Sequence, residues 1–223
     1  MDRELLRQAL TKFFAGLVLT ALLVFLPAGT LRYPGGLLLM AVLFVPMFAA
    51  GLVMLFKSPE LLRKRLSANE TQPEQRRVVA ASGAMFVTAF LLAGLGRRFR
   101  WPALPGAVSW AATGVFLLGY VLYAEVLREN VWLSRTVEVQ ANQKVVDTGL
   151  YGVVRHPMYL STLLIFLAMP LILGSVPAFI VTLAYIPIIR RRIVSEEAVL
   201  VAGLTGYPEY MKKVRYRLIP CIW

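Results

Sequence analysis

The sequence predicts an all-α, polytopic membrane bundle of about six apolar helices. Three observations predict it. Of the 223 residues, 58% are hydrophobic, and apolar runs approaching the ~17–25 residues that cross a bilayer recur along the chain. Charged residues gather in the connections between those runs. Lys and Arg are concentrated in alternate connections, as in polytopic membrane proteins. No linker separates two independent cores, so residues 1–223 form a single integral domain.

The apolar segments cover roughly residues 13–26, 36–56, 78–95, 107–127, 157–173 and 176–189. Arg3, Arg7 and Lys12 ahead of the first segment imitate a secretory leader. Asp2 and Glu4 dilute that positive region and no small-residue cleavage site follows, so the segment is read as a retained first helix. Pro46 and Pro187 lie inside segments and predict kinks. Residues 58–77 are polar and read as a helix at the interface, with Ser58 as N-cap and Pro59 in the first turn. The last two segments are short and separated only by Gly174-Ser175, which predicts a tight hairpin. No 20–50-residue repeat or low-complexity tract is present.

Charge sets the predicted topology. The N-terminus, the connections after segments two and four, and the C-terminal tail carry 20 of the 24 Lys and Arg residues. The opposite side has Arg32, Arg97, Arg98 and Arg100. Both termini are therefore expected in the cytoplasm. The same bias accounts for the net charge of +12 without a nucleic-acid partner. The single cysteine, Cys221, excludes an intrachain disulfide and a Cys-only metal site. His156 is the only histidine, so no metal is expected.

Chemistry-bearing residues collect at the two ends of the hairpin. Arg155-His156-Pro157-Met158-Tyr159 enters it and Glu196-Glu197 leaves it. With straight helices rising ~1.5 Å per residue, Pro157 lies opposite Arg192, and the Glu pair lies about one turn further out, opposite 151–154. Pro157 suits the first helical position, placing Arg155 and His156 at a helix N-terminus that favours anions. Each residue also has a plainer reading. Arg155 fits a snorkelling anchor, and Tyr151, Tyr159, Tyr207 and Tyr210 fit an aromatic belt. Arg190-Arg191-Arg192 reads as a stop-transfer anchor. Glu196 and Glu197 suit neither the negative end of a helix dipole nor an anionic leaflet, and point to a ligand cation.

The run Gly149-Leu150-Tyr151-Gly152-Val153-Val154-Arg155-His156-Pro157-Met158-Tyr159, then a short hydrophobic hairpin, Glu196-Glu197, Gly206-Tyr207, Tyr210 and Arg217-Leu218-Ile219-Pro220, resembles the isoprenylcysteine carboxyl methyltransferase family. These are membrane-integral enzymes related to the phospholipid N-methyltransferases. Residues 130–146 and Ser58-Pro59-Glu60-Leu61-Leu62 resemble its prokaryotic members, which implies a prokaryotic cell membrane. Leu150 stands where Pro is common, Ser161 and Cys221 where Gly is common. Small residues at position 161 allow close helix approach.

The resemblance implies S-adenosylmethionine as cofactor and a lipid-like or isoprenylated acceptor, methylated at a carboxylate or an amine. Residues 1–128 become the membrane scaffold and 129–223 the cofactor-binding and catalytic part. Glu196 or Glu197 would hold the cofactor's amino group, His156 its carboxylate, and Tyr151, Tyr159, Tyr207 and Tyr210 its adenine or sulfonium. Arg155 would orient the acceptor, and for an amine acceptor Glu197 or its neighbour would take a proton. Two other readings stay open: an NADPH-dependent reductase of a sterol-like lipid, which carries a similar Arg-His-Pro run, and a non-enzymatic membrane scaffold.

Overall fold

The computed structural model describes residues 2–67, 72–134 and 136–223. Helices dominate it, and none of the described residues lies in a strand. Four helices are long and apolar enough to cross a membrane: α1 (Arg3–Ala28), α2 (Pro34–Lys57), α4 (Pro73–Arg98) and α5 (Gly106–Glu129). A short α3 (Pro59–Leu66) joins the second and third of these. Arg135, and residues 68–71 of the expected interfacial segment, lie outside the described residues.

Local chemistry explains the helix limits. Asp2 caps α1, its carboxylate accepting from the amides of Glu4 and Leu5. Gly29 ends α1 in the left-handed conformation, its N–H reaching Phe25 and Leu26 carbonyls. Pro34, Pro59 and Pro73 open α2, α3 and α4, where a missing N–H costs nothing. Ser58 makes no side-chain capping bond, contrary to expectation, because it also ends α2. α2 continues unbroken past Pro46.

The hairpin differs from the sequence expectation. Its first arm is α6 (Pro157–Ile172), and Gly174 turns the chain with φ +71°. The expected sixth segment is divided into α7 (Val176–Thr182) and α8 (Tyr185–Gly203). Pro187 is the cause: it cannot donate to Leu183, four residues back, and its ring crowds that carbonyl. Ile186 bonds the Leu183 carbonyl instead, in a tighter turn. α8 then carries the chain past Arg190-Arg191-Arg192, and Gly206 (φ +85°) turns it into α9 (Tyr207–Lys213).

α5 packs along α6, and α4 packs against α1, α7 and α8. The main core joins Val24, Phe25, Leu39, Phe90, Phe116, Ile165 and Ile172. A Cβ at Gly119 would lie 2.7 Å from the Ile165 side chain and 3.1 Å from the Ser161 carbonyl, so this glycine permits the close α5–α6 contact. Ser161 is fully buried and bonds back to the Pro157 carbonyl. Outside the core, Phe14, Leu22, Val45, Phe56, Trp110 and Val121 are among many large apolar side chains that face outward. Such a belt is what a lipid solvent accepts and water does not. The chain is an integral membrane protein.

Candidate active site

Beyond the apolar bundle, at the end carrying both termini, a cleft encloses about 820 Å³ of empty space including its open mouth. That is within the size of small-molecule and cofactor sites. Its base is the start of α6 and the outer half of α8, with α9 on one side. The irregular residues 130–134 and 136–148 close the other side. Arg155, His156, Tyr151, Tyr159, Glu196, Tyr207 and Tyr210 all line it. Glu197 lies directly behind, buried.

The two glutamates are about 100° apart around α8 and meet different surroundings. Glu197 Oε1 accepts from Arg155 Nε at 2.8 Å and lies 3.1 Å from His156 Nε2. Its Oε2 accepts from Arg217 Nε at 2.8 Å. Burial pushes this carboxyl up, but hydrogen bonds from His156 and Arg155, the His156 charge and the Arg217 bond prevail, holding it at about 2. An ionised carboxylate only accepts, so His156 Nε2 carries hydrogen. His156 Nδ1 then faces Glu196 Oε1 at 4.0 Å.

Arg155 also anchors the C-terminal tail. Its Nη1 donates to the Val214 and Arg215 carbonyls at 2.8 Å each. The Arg155 and His156 amides bond the carbonyls of Tyr216 and Arg217, and the Arg217 amide bonds that of Trp223. This network packs residues 214–223 against the entry to α6.

Glu196 is partly exposed and turned to the cleft. Tyr159 donates to it and accepts from Arg192 Nε at 2.8 Å. The Glu pair therefore meets Arg155, His156 and Tyr159 directly, about one turn from the straight-helix expectation. The break between α7 and α8 accounts for the difference.

The tyrosines are fixed in turn. Asn130 Nδ2 donates to the Tyr151 hydroxyl at 2.9 Å, and the Tyr210 hydroxyl donates to the Tyr151 carbonyl at 2.7 Å. Tyr207 packs on Tyr210 with ring centroids 5.6 Å apart. Its hydroxyl is buried yet has no hydrogen-bond partner among the described residues. Burial and the Glu197 and Glu196 charges push it well above the usual phenol range. A buried orphan hydroxyl is costly, and a ligand polar atom in the cleft would relieve it.

Several lining residues escape sequence reasoning. Asn130, Trp132, Gln143 and Lys144 belong to the irregular segment, where no periodicity marks a lining face. Asn130 Oδ1 accepts from the Trp132 amide, and Gln140 donates to the Trp132 carbonyl. From α3, Arg65 donates to the Ser134 carbonyl and the Tyr123 hydroxyl, and Lys64 lies 5.4 Å over the Trp132 ring. Arg192, read from sequence as a topological anchor, lines the cleft, while Arg190 and Arg191 are exposed. Its i, i+4 spacing to Glu196 was the available signal.

Residues 107–203 match the model of the phospholipid methyltransferase family. The match runs from α5 to the end of α8. A structure of the eukaryotic intramembrane Ras methyltransferase, isoprenylcysteine carboxyl methyltransferase, is similar over 84% of this chain and 74% of that one. The sequences are 20% identical there, with a TM-score of 0.49. No curated protein sequence matches the chain significantly. The family match covers Tyr151 to Glu197 and agrees with the membrane methyltransferase resemblance read from those residues.

Proposed function

We propose that this protein is an S-adenosylmethionine-dependent methyltransferase that modifies a lipid-like or isoprenylated acceptor at the membrane face bearing this cleft. The observation that carries the proposal is the pairing of a cleft-facing carboxylate, Glu196, with the unpartnered buried hydroxyl of Tyr207. The charge bias of the connections favours a cytoplasmic position for that face and both termini.

The residues present fit a small zwitterion that also carries an aromatic base. Glu196 would hold its amino group, since both oxygens of Glu197 are taken within the protein. Arg192, and His156 when Nδ1 carries hydrogen as well as Nε2, would hold its carboxylate. Tyr151, Tyr159, Tyr207 and Tyr210 offer ring faces to the base and, by cation–π attraction, to a sulfonium. Bound there, the cofactor supplies an electrophilic methyl group.

The chain's own part is positioning and exclusion of water. Residues 130–134 and 136–148 flank the cleft, and Arg155, Glu197 and Arg217 hold the entry to α6 against the tail. Arg155 also lines the cleft and would orient an acceptor carboxylate. A carboxylate acceptor needs no base. An amine acceptor would lose its proton to Glu196, the carboxylate open to the cleft.

The test is transfer of radiolabelled methyl from S-adenosylmethionine into membrane lipid extracts and an isoprenylated cysteine. Label in an organic-soluble product, absent with Glu196→Gln, is expected. No transfer from a folded protein that does bind NADPH would instead mark a lipid reductase.

A further inference from the structure

The end of the bundle remote from the cleft holds Arg32, Arg97, Arg98 and Arg100. Every Asp and Glu among the described residues belongs to the other end. The four guanidinium groups therefore have no acidic neighbour there. Arg97 instead donates to the Arg32 carbonyl at 3.2 Å and lies 6.0 Å over the Tyr33 ring.

Arg97 and Arg100 line a second cleft, bounded by the start of α2, the α4–α5 connection and the α6–α7 turn. It encloses about 1010 Å³ including its mouth, and Ile172, Leu173, Leu104 and Pro177 give it an apolar wall. The wall is fixed: Tyr33 donates to the Leu173 carbonyl at 2.6 Å and the Leu104 amide bonds the Gly174 carbonyl at 3.0 Å. Trp101 adds a half-exposed indole of the kind that settles at headgroup level.

The backbone at Arg100 points the same way. α4 ends with the Trp101 amide reaching the Gly96 carbonyl, and Arg100 occupies the left-handed conformation with φ +54°. Helices ordinarily place glycine at that position, because a Cβ is strained there. An arginine is held where folding alone would favour glycine, and it lines a cleft.

We propose that this cleft binds the phosphate of a net-anionic glycerophospholipid, with Arg97 and Arg100 on the headgroup and the acyl chains along the partly exposed Leu104 and Pro177. The planar guanidinium fork suits phosphate oxygens. A zwitterionic headgroup would bring an amine to an end without a carboxylate to receive it, so the net-anionic lipid is favoured. This site does not depend on the methyltransferase reading.

The test uses the full-length protein in detergent, titrated with phosphatidylglycerol, phosphatidylcholine or inorganic phosphate, and read by native mass spectrometry and thermal unfolding. Arg100→Gly relieves the strained backbone, so its lipid-free Tm should equal or exceed that of the unmodified protein. Its phosphatidylglycerol affinity should nonetheless fall about fivefold, the worth of one interfacial charge. Arg190→Ala, at the other end of the bundle, should leave that affinity unchanged. Unaltered phosphatidylglycerol binding in Arg100→Gly overturns the proposal. So does equal loss in Arg190→Ala, equal affinity for phosphatidylcholine, or a full response to phosphate alone.

Discussion

Arg155 Nε and Glu197 Oε1 lie 2.8 Å apart, with both side chains 5% exposed. This buried pair joins the start of α6 to the outer half of α8 and, through Arg217, to the tail. Removing Glu197 leaves Arg155 an unpaired buried cation, at a cost of about 3–5 kcal/mol, whereas removing Arg155 leaves Glu197 with Arg217 and His156 and costs less. Arg155→Ala and Glu197→Ala are expected to unfold in milder denaturant than the unmodified protein. The double variant should lose less than the sum of the two. Equilibrium unfolding in detergent, followed by tryptophan fluorescence, measures all three.

The Glu197 carboxyl is held at about 2, below its ordinary 4.5. A depressed folded-state value means that the stabilisation is complete above about 4.5. It is lost as pH falls from there toward 2. Thermal stability should therefore decline through this window in the unmodified protein, and less steeply in Glu197→Gln. Parallel slopes would show that Glu197 does not control the acid limb.

Glu196 has a different neighbourhood, and its loss should read differently. Glu196→Gln keeps the shape and an acceptor for Tyr159, so Tm should change little. Affinity for S-adenosylmethionine should fall about 10-fold or more, as expected when a charged hydrogen-bond partner is removed.

Tyr207→Phe removes the buried unpartnered hydroxyl. The ligand-free protein should gain about 1–3 kcal/mol of stability, the penalty of such a group. Cofactor affinity should fall at the same time. A variant that is both more stable and a weaker binder would mark the hydroxyl as kept for a ligand.

Pro187→Ala restores a donor toward the Leu183 carbonyl and should extend helix across the α7–α8 break. The register of Glu196 against His156 and Tyr159 should then shift. Lower cofactor affinity, with helical content by circular dichroism equal or higher, is the expected result.

Much of this architecture was legible in the sequence because lipid imposes long apolar runs, which four helices satisfy. Pro157 and Gly174 announced the start of α6 and the hairpin turn by their own backbone chemistry. The Arg155–Tyr159 run and the Glu pair were legible as one cluster, because a short hairpin had to bring them together. The register was not, since a straight-helix count could not place the break that Pro187 causes four residues upstream. The different settings of Glu196 and Glu197 depend on which face of α8 meets the tail, and the tail's path has no pattern of its own. Segment 130–148 was opaque for the same reason: Asn130, Gln140 and Arg65 hold it through single side-chain bonds.

In the proposed function this cleft holds S-adenosylmethionine through Glu196. The most direct measurement is a calorimetric titration of the detergent-purified protein with S-adenosylmethionine and, separately, with NADPH, repeated for Glu196→Gln. Saturable binding of S-adenosylmethionine, weakened about 10-fold or more in the variant and absent for NADPH, is the predicted result. Binding of NADPH without S-adenosylmethionine, or binding of S-adenosylmethionine that ignores Glu196, would contradict it.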